Sequence, residues 1–179
     1  MNKKKNNKGF SLIELIIAIA ILIILTGMLA PQFMKYIEKS REAKDVQAMD
    51  TVYSSLQAAL ANEDAYDYMV TQVNDETVHL FTVSQFIGES TKTPLGVELD
   101  SLLGKLDLDL KSKLAGTGVM CFAIQYTGGE EVTVGDNSVF TVGGYEVMVY
   151  CGSTSDQKRI EGLETIGATL AVDTVNKAD

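Results

Sequence analysis

The sequence predicts an α+β protein. One long amino-terminal helix, membrane-spanning in its first half and amphipathic in its second, packs on a small antiparallel β-sheet. Three observations lead there. An almost unbroken apolar run covers residues 10–30. A three- and four-residue apolar period carries the helix on through residues 31–62. Strand-like runs separated by Gly-Gly and Asp-Asn pairs then fill residues 119–151.

As a helix, residues 10–30 reach roughly 30 Å at about 1.5 Å per residue, enough to cross a bilayer core. Lys3, Lys4, Lys5 and Lys8 precede the run and hold the amino terminus in the cytoplasm, so the rest of the chain faces outward. One acid, Glu14, stands near the start of the run. An ionised carboxylate in hydrocarbon costs roughly 2–3 kcal/mol on insertion scales. A segment built only to span a membrane has no reason to keep one, so Glu14 is a functional candidate in need of a partner. A secretory signal fits poorly. Its cut would fall at Met28-Leu29-Ala30, where Met28 is not small and Pro31 follows directly. A plain single-pass anchor leaves Gly9, Phe10 and Glu14 without a role.

The stretch Lys8-Gly9-Phe10-Ser11-Leu12-Ile13-Glu14-Leu15 resembles the processing site of type IV prepilins and type II secretion pseudopilins. A short basic leader, a glycine, an aromatic, an acid and a long apolar run occur in that family's order. The resemblance implies that residues 1–9 are a leader peptide. A membrane prepilin peptidase would cut between Gly9 and Phe10 on the cytoplasmic side and N-methylate Phe10. Glycine suits such a cut because it lets the backbone enter a narrow cleft. The resemblance further implies that Glu14 pairs with the new Phe10 amine of a neighbouring subunit during assembly. A buried carboxylate and a buried ammonium are each costly alone, and bringing them together relieves both penalties. Such a pair sets register more than it adds stability.

Past Pro31, the apolar positions Met34, Ile37, Val46, Met49, Val52 or Tyr53, Leu56 and Leu60 keep to one face. Lys35, Glu38, Lys39, Arg41, Glu42, Lys44 and Asp45 read as the solvated face. The stretch is poorer in apolar residues in its first half, which suggests a part that docks only in a filament. Gly27 and Pro31 mark the expected weak point, because Pro31 removes the bond to the Gly27 carbonyl and invites a bend or local melting.

Residues 63–179 form the head, and in pilins their first part is the variable connection between helix and sheet. Residues 78–83 read as a short strand, and 84–87 as a short helix capped by Ser84. Asp75-Glu76 punctuate the chain, and Pro94 and Gly96 break it. Leucines 99, 102, 103, 106, 110 and 114 recur at helical spacing. Strand-like runs at 119–126, 132–134, 139–142 and 145–151 follow, joined by Gly128-Gly129, Asp136-Asn137 and Gly143-Gly144, as an antiparallel meander. Helix on sheet is an α+β arrangement and also the pilin head fold. Residues 160–175 fit either a strand pair or a helix.

Cys121 and Cys151 are a candidate disulfide once outside the cell, against a reading as two small apolar core residues. In a simple meander the outer strands stand about 14 Å apart, too far for a bridge. If the middle hairpin is an excursion and the outer strands pair, the bridge becomes feasible.

The full chain carries a net charge of −9. Removing the leader leaves 11 basic against 24 acidic residues, a net −13. Direct nucleic-acid binding by so acidic a subunit is disfavoured. No cofactor or metal site is expected. His79 is the only histidine, so a multi-histidine metal site is impossible. Asp107-Leu108-Asp109 and Glu130-Glu131 lack an EF-hand pattern and read as acidic surface. No catalytic constellation appears, so the chain is not expected to be an enzyme.

The leading expectation is a structural subunit of a type IV pilus. It would be a single-pass membrane protein before assembly, with a cytoplasmic amino terminus and an extracytoplasmic head, and then part of a cell-surface filament. Resemblance supplies its partners: copies of itself as a homopolymer, prepilin peptidase, the membrane, a platform protein and an assembly ATPase. The nearest alternative is a pseudopilin of a type II secretion or competence (DNA-uptake) apparatus. A membrane-anchored binding module or enzyme is the rival from another class.

Overall fold

The computed structural model describes residues 9–73, 77–87, 93–104, 106–128, 131–134, 137–140 and 144–175, those at 131–140 and 174–175 by backbone only. The long helix α1 spans Leu12–Leu60. It is followed by α2 (Glu63–Gln72), β1 (His79–Thr82), a 3₁₀ turn (Val83–Gln85) and α3 (Pro94–Leu103). Then come β2 (Val119–Thr127), β3 (Glu131–Val134), β4 (Asn137–Phe140), β5 (Gly144–Gly152), β6 (Arg159–Ile160), β7 (Ile166–Gly167) and β8 (Thr174–Val175). The chain divides into two compact units, Met1–Lys39 and Ser40–Asp179.

In the second unit, Asp45, Met49, Val52, Leu56 and Ala59 of α1 are buried. They follow one another at steps of four, three, four and three, a single helical stripe. The stripe packs on Met120, Phe122 and Ile124 of β2 and Val147, Val149 and Cys151 of β5. Long helix on antiparallel sheet is the α+β fold expected.

β2 and β5 pair directly along their full length, from Val119 opposite Gly152 to Thr127 opposite Gly144. The expected meander is therefore corrected. β3 and β4 make a hairpin of their own, off the main sheet, whose order is β1-β2-β5-β6-β8 with β7 also on β5. Turn pairs were expected at Gly128-Gly129, Asp136-Asn137 and Gly143-Gly144. Of these, Gly129, Asp136 and Gly143 lie outside the described residues.

This pairing removes the distance obstacle to a Cys121–Cys151 bridge but imposes another. Cys121 stands opposite Tyr150, and Cys151 stands opposite Met120. Neighbouring strand positions face opposite ways, so the two thiols lie on opposite faces of the sheet. Cys151 packs on the α1 side, whereas Cys121 packs with Ala123, Met148, Tyr150 and Leu170 on the far side. Both are free and buried, and no disulfide forms.

The far face is covered by the carboxy-terminal segment, through Ala168, Leu170 and Val172. That segment forms the short strands β6, β7 and β8, with β6 and β8 parallel, and no helix among its described residues. Covering both faces explains why β2 is a continuous apolar run and does not alternate.

The connection differs from expectation in several places. α2 begins at Asn62, whose Oδ1 accepts from the amides of Asp64 (3.0 Å) and Ala65 (3.4 Å). β1 pairs with β2 as the strand-like run at 78–83 suggested. The turn after β1 is not capped by Ser84, because it starts one residue earlier. Thr82 precedes it, and its amide donates to Gln85 Oε1 at 2.9 Å. Pro94 starts α3 and does not break the chain: Thr93 caps the helix through Gly96 N (3.0 Å), and proline fits a first helical position. The leucine pattern does not stay helical beyond Leu103, since Gly104 stops α3 at φ +59°. Leu106, Asp107, Leu108, Asp109 and Leu110 then alternate half-buried and exposed, the period of an extended chain.

Asp45 accounts for that extended path. It is 3% exposed and not part of a solvated face. Its carboxylate accepts from the backbone amides of Lys111 (2.9 and 3.1 Å) and Ser112 (2.8 Å). The sequence then turns at Ser112, whose Oγ accepts from Ala115 N (3.2 Å).

Local melting at Gly27–Pro31 does not occur: α1 is helical through both residues. A proline removes one bond from the ladder, and the turns on either side hold the backbone helical.

Leu56→Ala is expected to cost about 2–5 kcal/mol in chemical denaturation of the full chain, since Leu56 is 1% exposed. Asp45→Ala strands two amides in a buried setting and is expected to cost about 1–3 kcal/mol.

Burial pushes the Cys121 thiol up to about 12 and the Cys151 thiol up to about 11. Tyr145 is likewise pushed up to about 12 by burial. In the unfolded chain thiols ionise at about 8.5 and tyrosine at about 10. The folded state therefore holds protons that the unfolded state releases, and stability falls as pH rises above about 8.5 toward 12. Alkaline denaturation with and without Cys121→Ala measures this, and the variant should show the shallower decline. Both thiols should resist alkylation until the chain unfolds.

Candidate assembly site at the amino-terminal helix

Gly9, Phe10 and Ser11 precede the first turn of α1. Ser11 is the residue before the helix, and Glu14 is its third helical residue. The Ser11 amide donates to Glu14 Oε2 at 2.9 Å, and Leu15 N donates to the Ser11 carbonyl at 3.2 Å. This is the backward-reaching bond of a capping box, a serine followed three residues later by a glutamate. The carboxylate also lies at the positive end of the helix dipole, where negative charge is favoured. Sequence reading assigned Glu14 a partner in another subunit and missed this one. The Ser11-Leu12-Ile13-Glu14 spacing was the signal for it.

Around this acid the surface is apolar. Phe10 is 84% exposed, and Leu12, Ile13, Leu15, Ile16 and Ile17 are all exposed. Exposure continues through Leu29, Phe33 and Met34. α1 is long and apolar enough to cross a membrane. Thr26, a polar residue in this stretch, returns its hydroxyl to the Leu22 carbonyl (2.7 Å), so its side chain asks nothing of the surroundings. Residues 12–30 thus present a helix with apolar side chains exposed all round and one carboxylate, Glu14, near its start. Such a surface is stable in a bilayer or against like helices, and not in water.

A model of the prokaryotic N-terminal methylation motif matches residues 4–30. The chain is also 35% identical over 106 residues to prepilin peptidase-dependent protein A of Clostridium perfringens (strain 13 / Type A), covering 55% of this chain and 74% of that relative. The chain belongs to the prepilin family of type IV pilins and pseudopilins. No solved structure matches it. In this prepilin the matched stretch contains Gly9, Phe10 and Glu14, the residues singled out from the sequence, together with the capping Ser11.

The other sequence candidates sit apart from this site. His79 lies on β1, with Nε2 3.2 Å from the Thr77 hydroxyl. Asp107 is paired with Lys111, whose ammonium holds the Asp107 carboxyl below its usual range. Asp109 donates its amide to Asp107 Oδ1 (3.1 Å). Glu130 lies outside the described residues. Among the described residues, no three His, Cys, Asp or Glu side chains gather as a metal site requires.

Proposed function

We propose that this prepilin is a structural subunit of a type IV pilus and not an enzyme. Prepilin peptidase cuts it between Gly9 and Phe10 and methylates the new amine. The processed chain waits in the membrane on α1, and a platform protein and an ATPase then drive it into a filament. The observation that carries the reading is the exposed apolar first half of α1 with Glu14 at its start. Apolar side chains point outward on all sides of that helix, so it can be surrounded by copies of itself. Contacts in such a bundle are heterologous and do not close, the geometry of a filament.

Glu14 has two parts in this scheme. In the single subunit its carboxylate is held at the helix start by the Ser11 amide. Cleavage creates a charged amine on Phe10, one residue before Ser11. On assembly the same carboxylate pairs with that amine of a neighbour and fixes axial register. A carboxylate has acceptor capacity for both bonds.

Intact mass of surface protein is expected to show loss of residues 1–9 and one added methyl. A mature start near Pro31 would refute the processing scheme. Gly9→Val is expected to leave uncut precursor in the membrane.

Glu14→Gln keeps the shape and the acceptor oxygen for Ser11 but removes the charge. Processing and membrane insertion should be normal, with few or no filaments by electron microscopy. Filaments of normal number and length from that variant alone would remove charge pairing from the mechanism.

A further inference from the structure

We infer that the solvent faces of α2 and α3 are a docking surface for a second copy of this chain, which brings to it the basic turn of α1 carrying Lys35, Tyr36 and Lys39. The inference rests on the filament reading above and names a contact within it.

The two short helices pack on each other, and Asn62 Nδ2 at the start of α2 donates to Glu98 Oε1 of α3 at 3.1 Å. Together they carry Glu63, Asp64, Asp67, Glu98 and Asp100, and neither has a lysine or arginine. On α2, Glu63, Asp67 and Val70 follow at steps of four and three and are all exposed, away from the buried Ala65 and Met69. On α3, Val97 is 55% exposed and Asp100 lies one turn further, away from the buried Leu95, Leu99 and Leu103. Leu102 is exposed as well. Exposed Val70 and Val97 thus stand among the acids of these two helices. Apolar side chains set among acids suit a partner that is both apolar and cationic.

The chain itself supplies that partner. Lys35 and Lys39 stand one turn apart on α1, both exposed, with Tyr36 beside them at 71% exposure. Arg41 and Lys44 continue the basic stretch, interleaved with Glu38 and Glu42. Residues 45–179, in contrast, hold 21 acidic against 7 basic residues. Heads of that charge repel when copies stack. Setting the basic turn of one copy against the acidic helices of the next turns this repulsion into attraction. The two surfaces are different patches of one chain, so the contact is heterologous, the kind that can repeat along a filament.

The test is charge reversal in cells expressing the full chain, with Glu63→Lys/Asp67→Lys and Lys35→Glu/Lys39→Glu made separately and together. Wild-type filaments are the reference, and their absence would refute the filament reading whatever the variants do. With wild-type filaments present, each reversed pair alone is expected to lower filament yield about tenfold. The combined variant is expected to recover most of it. A second variant, Tyr36→Cys/Val97→Cys, is read independently of charge. Both native thiols are buried, so mild oxidation of its filaments should give a ladder of linked subunits on a non-reducing gel. Unchanged yield in both reversed pairs, no recovery in the combined variant, or filaments without a ladder would overturn the docking surface and leave the filament reading standing.

Discussion

Burial of one stripe of α1 against the paired strands β2 and β5 is the contact on which the rest of this structure depends. Met49, Val52, Leu56 and Ala59 reach the core, and each large side chain so buried is worth about 1.5–3 kcal/mol. The stripe starts at Asp45, a carboxylate at a position where the period calls for an apolar residue. Its bonds to the amides of Lys111 and Ser112 make that position tolerable and hold an extended segment in place. The second half of α1 is thereby committed to its own head. The first half has no such commitment.

That asymmetry generates the functional reading. A helix with exposed isoleucine and leucine side chains on all sides needs a bilayer or other helices around it. A carboxylate at its start needs donors in either setting. Ser11 supplies one within the subunit, and the proposed Phe10 amine supplies another between subunits. The same short motif thus satisfies the acid before assembly and gives it a task during assembly. The buried thiols and tyrosines of the head take no part in this. They belong to a sheet covered on both faces.

The long helix, the apolar stripe after residue 45, β1, and the limits of β2 and β5 were legible because each depends on local period and turn chemistry. The prepilin motif was legible because glycine, aromatic and acid occur in fixed order. Pairing of β2 with β5 was not, since strand order is set by which faces find cover, and a local pattern cannot show that the chain leaves the sheet as a hairpin and returns. The opposite facing of Cys121 and Cys151 follows from that pairing alone. At residues 106–111 a helical leucine spacing competed with a strict alternation of apolar and polar residues. The alternation won because Gly104 ends α3 and Asp45 takes the amides that a helix would have used. Asp45 itself was misread because its neighbours are charged, although its spacing from Met49 and Val52 marked it as inward-facing.

The exposed apolar first half of α1 is proposed to become the core of a filament. A cryo-electron-microscopy reconstruction of surface filaments, with mass spectrometry of the subunit they contain, tests it most directly. Such filaments should contain this chain starting at Phe10, with residues 12–30 bundled along the axis, each Glu14 beside a neighbour's Phe10 amine, and the heads outside. Filaments that lack this chain, or that contain it with residues 12–30 away from the axis, would contradict the claim.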